Sequence, residues 1–209
     1  MASQDLTRWI DSLLMWPLRH IVERPTTVLK HFVKPGMTAL EVGCGEGLHS
    51  IAMARLVGSN GRVVSLDLQP ETIQTLERRL ARSRLSPRIE PRLCTEQDLA
   101  IEDLEGQFDF VLAVYVLHHA SDPARLMANV HRALKPGSLF LVIEPRHHAS
   151  AAECRAIESA ARRACLTVAG YPKLQRDWAV TFVKSGPPDM MPNISFQRTG
   201  PAAAAAPVR

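Results

Sequence analysis

The run from Thr38 to Asp67, TALEVGCGEGLHSIAMARLVGSNGRVVSLD, constrains the fold more than any other part of the chain. It opens on a short apolar segment, Thr38 to Val42, and passes through Gly43, Gly45 and Gly47. It continues from Leu48 to Val57 with helical apolar spacing, turns at Gly58-Ser59-Asn60-Gly61, and closes on Arg62 to Leu66. Short apolar runs bounded by glycine read as buried strands, and the longer segment between them reads as a helix. Two such strands joined through a helix lie parallel in one sheet.

The alternation repeats along the chain. Pro70 suits the first turn of a helix whose apolar positions Ile73, Leu76 and Leu80 space correctly, and which stops before Ser86-Pro87. Further strands are expected at Ile89 to Leu93, Phe110 to Tyr115, Leu139 to Ile143, Leu166 to Ala169 and Trp178 to Val183. Helices are expected at Pro123 to Leu134 and Ser150 to Ala164, with Lys135-Pro136-Gly137 turning the chain. The pattern predicts an α/β fold, a doubly wound and mostly parallel seven-stranded sheet with helices on both faces, binding its ligand at the carboxyl ends of the strands. Residues 1–24, with apolar positions Leu6, Trp9, Ile10, Leu13, Leu14 and Leu18, read as an N-terminal helical cap on a domain of residues 25–184. Residues 185–209, with the run PAAAAAPVR, read as a disordered tail.

Composition narrows the setting. A length of 209 residues with 46% hydrophobic content favours one domain, and the net charge of +4 falls short of the basic stripes of nucleic-acid binders. Cys44, Cys94, Cys154 and Cys165 are too scattered for a disulfide framework and none has CxxC spacing, which fits a reducing cytoplasm. Arg8, Asp11, Arg19 and His20 interrupt any N-terminal apolar stretch, so neither a signal peptide nor a membrane span is expected.

A strand that turns through glycines into a helix aims backbone N–H groups and the positive end of the helix dipole at the crevice. Asp67 ends the next strand about 20 residues on, placed to accept hydrogen bonds from ribose hydroxyls. Together they point to an adenosine-containing ligand rather than to a tight turn and a helix cap alone. The dinucleotide fingerprint GxGxxG would want glycine where this chain has Leu48; the spacing here is GxGxG. At this point the sequence resembles the class I S-adenosylmethionine-dependent methyltransferases, over roughly residues 30–184. ALEVGCGEG resembles the family's first motif and VVSLD its second. FDFVLAVYVLHHASDPARLMANVHRALKPGSLFLVIEP resembles its fourth strand, the following helix, the Pro-Gly turn and the fifth strand.

The resemblance implies a Rossmann-like fold and S-adenosylmethionine as cofactor. Glu41 and the backbone of Gly43, Gly45 and Gly47 are then expected to hold its methionine end, and Asp67 its ribose. Leu68 is expected to pack on the adenine, with Thr95 and Glu96 flanking it; where family members often carry an acid, this chain has Thr95. Ala113 and Val114 would border the transferring methyl.

An activated methyl needs no nucleophile and no metal, only alignment with the acceptor. His118 and His119, after the fourth strand, are candidate catalytic bases if the acceptor carries a proton; the alternative is a structural turn with one ring packed and one exposed. His147 and His148 follow the fifth strand, but with no carboxylate or cysteine at ligand spacing no metal is expected. Arg78, Arg79, Arg82, Arg84, Arg88 and Arg92 form a basic face without interleaved aromatics, so no nucleic-acid partner is expected. The N-terminal helix with Trp9 and Trp16 reads as a lid, a membrane-surface element or simple edge packing. The function expected is methyl transfer to a small-molecule acceptor. Its rivals are a non-catalytic module that binds S-adenosylmethionine and, behind it, a dinucleotide-dependent oxidoreductase.

Overall fold

The computed structural model describes residues 25–146 and 149–185. The elements are α1 (Pro25–Leu29), β1 (Thr38–Val42), α2 (Leu48–Val57), β2 (Arg62–Asp67), α3 (Pro70–Leu80), β3 (Ile89–Leu93), β4 (Phe108–Val114), α4 (Pro123–Ala133), β5 (Leu134–Pro145), α5 (Ala151–Arg163), β6 (Leu166–Gly170) and β7 (Asp177–Lys184). They form one seven-stranded sheet in the order β3-β2-β1-β4-β5-β7-β6. Strands β3, β2, β1, β4 and β5 are mutually parallel, and β7 runs antiparallel to both β5 and β6.

The central strands are apolar on both faces, as a covered parallel sheet requires. Ala39, Val63, Phe110 and Leu112 face one core with residues of α1, α2 and α3, among them Leu29, Met53 and Leu76. Leu40, Val64, Val111 and Ala113 face the other with Met127 and Val130 of α4 and Ile157 and Ala161 of α5. Two of the helices, α4 and α5, start where a side chain accepts from their first amides. Asp122 accepts the Arg125 N–H at 3.0 Å ahead of α4. Ahead of α5, Ser150 Oγ accepts the Glu153 N–H at 3.2 Å while Glu153 accepts the Ser150 N–H at 2.7 Å, a capping box.

All seven expected strands form, with three differences of detail. α3 stops at Leu80 rather than running toward Ser86, and a 3₁₀ turn at Ser86–Arg88 leads into β3. β5 begins at Leu134: the partner of Phe108 is Leu134 and that of Phe110 is Leu139. Lys135-Pro136-Gly137 is therefore a wide bulge inside β5, held by Lys135 Nζ on Asp109 Oδ1 at 2.5 Å and by the left-handed Gly137 at φ +78°. Tyr115, expected in the fourth strand, lies just past it with φ +60°. The N-terminal cap and residues 186–209 of the tail lie outside the described residues.

Candidate cofactor and acceptor site

β1 and β4 are neighbours, with β2 and β3 stacked on one side and β5, β7 and β6 on the other, so the order reverses between them. That switch point opens a crevice at the carboxyl ends. The three glycines there are left-handed, at φ +73°, +50° and +79°, but for different reasons. A Cβ on Gly43 would strike the Val116 side chain, and one on Gly47 the Leu76 side chain. A Cβ on Gly45 would meet nothing within 4 Å. Packing thus excludes side chains at Gly43 and Gly47, whereas Gly45 presents bare backbone to open space.

The Gly45 N–H donates to Asp67 Oδ2 at 3.0 Å, and the Gln69 N–H to Asp67 Oδ1 at 3.1 Å. A carboxylate offers about four lone-pair directions, so two amides leave acceptor capacity for a ligand. Leu68 beside it is 49% exposed, an apolar side chain held at the surface on the crevice side of β2. The Cys94 N–H donates to the Asp67 carbonyl at 3.0 Å and brings the loop after β3 alongside. In that loop Thr95 closes its own turn, its Oγ1 accepting the Asp98 N–H at 3.1 Å. Glu96 accepts a hydrogen bond from Ser121, joining this loop to the one after β4. At the end of β4, Ala113 is fully buried and Val114 half-buried, so of the two only Val114 reaches the crevice.

Glu41 stands behind the glycine turn rather than in it. It is 1% exposed, accepts a hydrogen bond from Ser50 of α2, and through Ser50 connects to Ser65 at 2.9 Å. His49 Nδ1 lies 3.6 Å from its other oxygen, too long for a strong bond. Burial pushes the Glu41 carboxyl up to about 8, a shift that the Ser50 hydroxyl opposes and the Asp67 charge reinforces. Burial likewise raises the Cys44 thiol, against the lowering that a place before a helix N-terminus would bring.

On the other side of β4, Glu144 of β5 organises the turn. It is 1% exposed, accepts the Leu117 N–H at 2.8 Å and bonds His118 Nδ1. His118 is 11% exposed and its ring lies 3.8 Å from that of the exposed His119. A cavity of about 470 Å³ between the starts of α4 and α5 reaches down to His118 and Glu144. Sequence reasoning missed Glu144, although a single acid in the otherwise apolar run LFLVIEP was its signal. It also missed Tyr115, whose hydroxyl donates to Asp177 Oδ1 at 2.7 Å; no local pattern announces a partner 62 positions away.

His147 and His148 lie outside the described residues, and among those described no three or more His, Cys, Asp or Glu side chains gather as a metal site. The basic face is partly committed internally. Arg62 and Arg92 pair with Glu90, Arg92 also with Asp103, Arg79 with the Glu46 carbonyl and Arg88 with that of Ala54. No helix among the described residues is long and apolar enough to cross a membrane.

Residues 33–184 match the family model described as a methyltransferase domain. The chain belongs to this methyltransferase family. A ubiquinone biosynthesis O-methyltransferase of Xanthomonas campestris pv. campestris is 40% identical to the methyltransferase over 108 residues, 51% of this chain and 43% of that one. A 2-phytyl-1,4-naphtoquinone methyltransferase of Nostoc sp. is 32% identical over 111 residues, 53% of this chain and 48% of that one. The matches span less than half the length of these curated relatives. Among solved structures, a SAM dependent methyltransferase from Aquifex aeolicus superposes with a TM-score of 0.72 at 21% identity, covering 80% of this chain and 93% of that one, and shares the fold. The cofactor of this methyltransferase is S-adenosylmethionine, and the open backbone at Gly45, the spare acceptor capacity of Asp67 and the exposed Leu68 suit its polar and apolar parts.

Proposed function

We propose that this methyltransferase transfers a methyl group to a hydroxyl on a small ring compound of the phenol or quinol kind. The observation that carries the cofactor half of the reading is Gly45, whose amide bonds Asp67 while its α-carbon faces open space. Gly45 and the first amides of α2 bind the methionine end, and Asp67 binds the ribose through its remaining lone pairs. Leu68 covers the adenine, Thr95 and Glu96 border it through the loop that Ser121 holds, and Val114 lines the methyl end with the buried Ala113 behind it. Gly43, Gly47 and Glu41 act one layer behind, setting the shape of the turn.

Bound S-adenosylmethionine supplies an electrophilic methyl that needs no further activation. What remains for the chain is to orient the acceptor hydroxyl in line and take its proton. His118, committed to Glu144, holds the loop after β4; His119, exposed beside it, receives the proton. The acceptor class is supported by the relatives named for ubiquinone biosynthesis and naphthoquinone methylation.

The test is calorimetric titration of the full chain with S-adenosylmethionine, S-adenosylhomocysteine and NAD, followed by a mass-spectrometric screen for methylated phenols. The first two should bind and NAD should not. Asp67→Ala should weaken binding about tenfold or more, the scale of one or two lost hydrogen bonds to a charged group, and Gly45→Ala should do the same by setting a Cβ at a left-handed φ in the space the ligand takes. His119→Gln should lower turnover with cofactor affinity unchanged. Binding of NAD alone, or unaltered affinity in both cofactor variants, overturns the cofactor site. Tight cofactor binding with no methylated product favours a regulatory module.

A further inference from the structure

Among the described residues, Tyr115 is the one aromatic with a left-handed backbone, and it lies at the crevice. It follows the last residue of β4 and holds φ +60°, a conformation disfavoured for a side chain of that size and one that persists where surroundings over-determine it. Its N–H still donates to the Ile143 carbonyl at 2.8 Å, so the parallel ladder with β5 continues through the turn. Its hydroxyl crosses to the first residue of β7, donating to Asp177 Oδ1 at 2.7 Å. Asp177 in turn pairs with Pro145, the last residue of β5. Arg146, next in the chain, donates to the carbonyls of Asp177 at 3.4 Å and Leu174 at 3.3 Å. Leu174 is buried in the same core against which Tyr115 packs.

The start of β7 is thus tied by one hydroxyl to Tyr115, just past β4, and one guanidinium just past β5 holds both that start and Leu174 in the connection from β6 to β7. All of these ties lie on the β5 side of the switch point, away from Gly45 and Asp67 on the β2 side. Tyr115 itself follows Val114, the residue at the methyl end. The cofactor half of the crevice therefore has its own scaffold, and the clamp serves the other half.

We propose that Tyr115 is a positioning residue for the acceptor, acting through Asp177 to fix the start of β7, where the β6–β7 connection ends, on the methyl side of the crevice. This rests on the reading of a small phenolic or quinol acceptor given above. Phenylalanine at 115 keeps the ring and removes the tie. Asparagine at 177 keeps a carbonyl oxygen that accepts the same hydroxyl, whereas alanine does not.

The experiment uses the full chain and the variants Tyr115→Phe, Asp177→Ala and Asp177→Asn, with catechol, pyrogallol and reduced naphthoquinone as acceptor probes. Initial rates give acceptor KM and kcat, and calorimetry with S-adenosylhomocysteine reports the cofactor site and confirms folding. Tyr115→Phe and Asp177→Ala should each raise acceptor KM about tenfold with kcat within about threefold, the pattern of lost binding common to ground and transition states. Asp177→Asn should restore KM to within about threefold of wild type, and S-adenosylhomocysteine affinity should stay unchanged throughout. A KM that does not move in Tyr115→Phe and Asp177→Ala, or a KM that rises only in step with lost cofactor affinity, overturns the positioning role alone. Wild type that binds S-adenosylhomocysteine but methylates none of the probes overturns the acceptor class, and the positioning role with it.

Discussion

Glu41 carries a proton on the folded chain up to about pH 8, because burial under α2 disfavours its charged form. Its ordinary value is 4.5, so between the two the folded state holds a proton that the unfolded chain releases. Stability therefore falls as pH rises through that window, by at most about 1.4 kcal/mol per unit, and levels off above the folded value. Urea midpoints of wild type should drop from about pH 5 to about pH 8, and Glu41→Gln, which cannot titrate, should lose that component; parallel profiles would show that Glu41 is charged in the fold. At this scale the sequence was legible in type and not in layer. Gly43, Gly45 and Gly47 all belong to the turn and Glu41 to the strand behind it, and the contacts of Val116 and Leu76 separate two packing glycines from the one that faces open space. Periodicity cannot see those contacts, since Val116 and Leu76 come from other elements.

Among the elements, strands and helices followed from apolar spacing, glycine turns and caps, because each of those signals is local. What escaped were features set by partners across the sheet. The bulge in β5 comes from pairing with β4, and the antiparallel β7 from a connection of six residues, 171–176, too short for a parallel crossover. The spacing between the last two expected strands already carried that second signal. The end of α5 invites a direct test. Cys165 sits just past it at φ +58°, exposed, with its N–H on the Arg162 carbonyl at 3.0 Å, where helices commonly place glycine. Cys165→Gly should stabilise the protein by about 0.5–1 kcal/mol, since relief of the left-handed penalty outweighs the added freedom of the unfolded chain. Chemical denaturation under reducing conditions measures it, and a loss of stability would show that the thiol has a role in the fold.

For the whole molecule, fold and cofactor class were legible together, because the turn after β1 and the acid ending β2 are local in sequence and sit at the switch point of the sheet. The half of the crevice beyond β4 was not, because it draws on β4, β5 and β7, brought together only by folding. Ligand that binds the folded chain alone stabilises it by RT ln(1 + [L]/Kd), about 2.7 kcal/mol at a hundredfold excess over Kd. For a chain of this size that raises the melting temperature by roughly 5–11 °C. S-adenosylhomocysteine should produce such a shift and NAD none; equal shifts would count against the assigned cofactor.

The strand order has a consequence for how the chain is made. β6 pairs with β7 alone, and β7 is the last strand among the described residues. While the chain is emerging from the ribosome, β5 thus stands as an open edge carrying Leu139, Phe140, Leu141, Val142 and Ile143, and β6 has no strand to join. An interruption of synthesis before Asp177 leaves that apolar edge free to recruit another nascent chain, which makes the interval before β7 emerges a step exposed to aggregation.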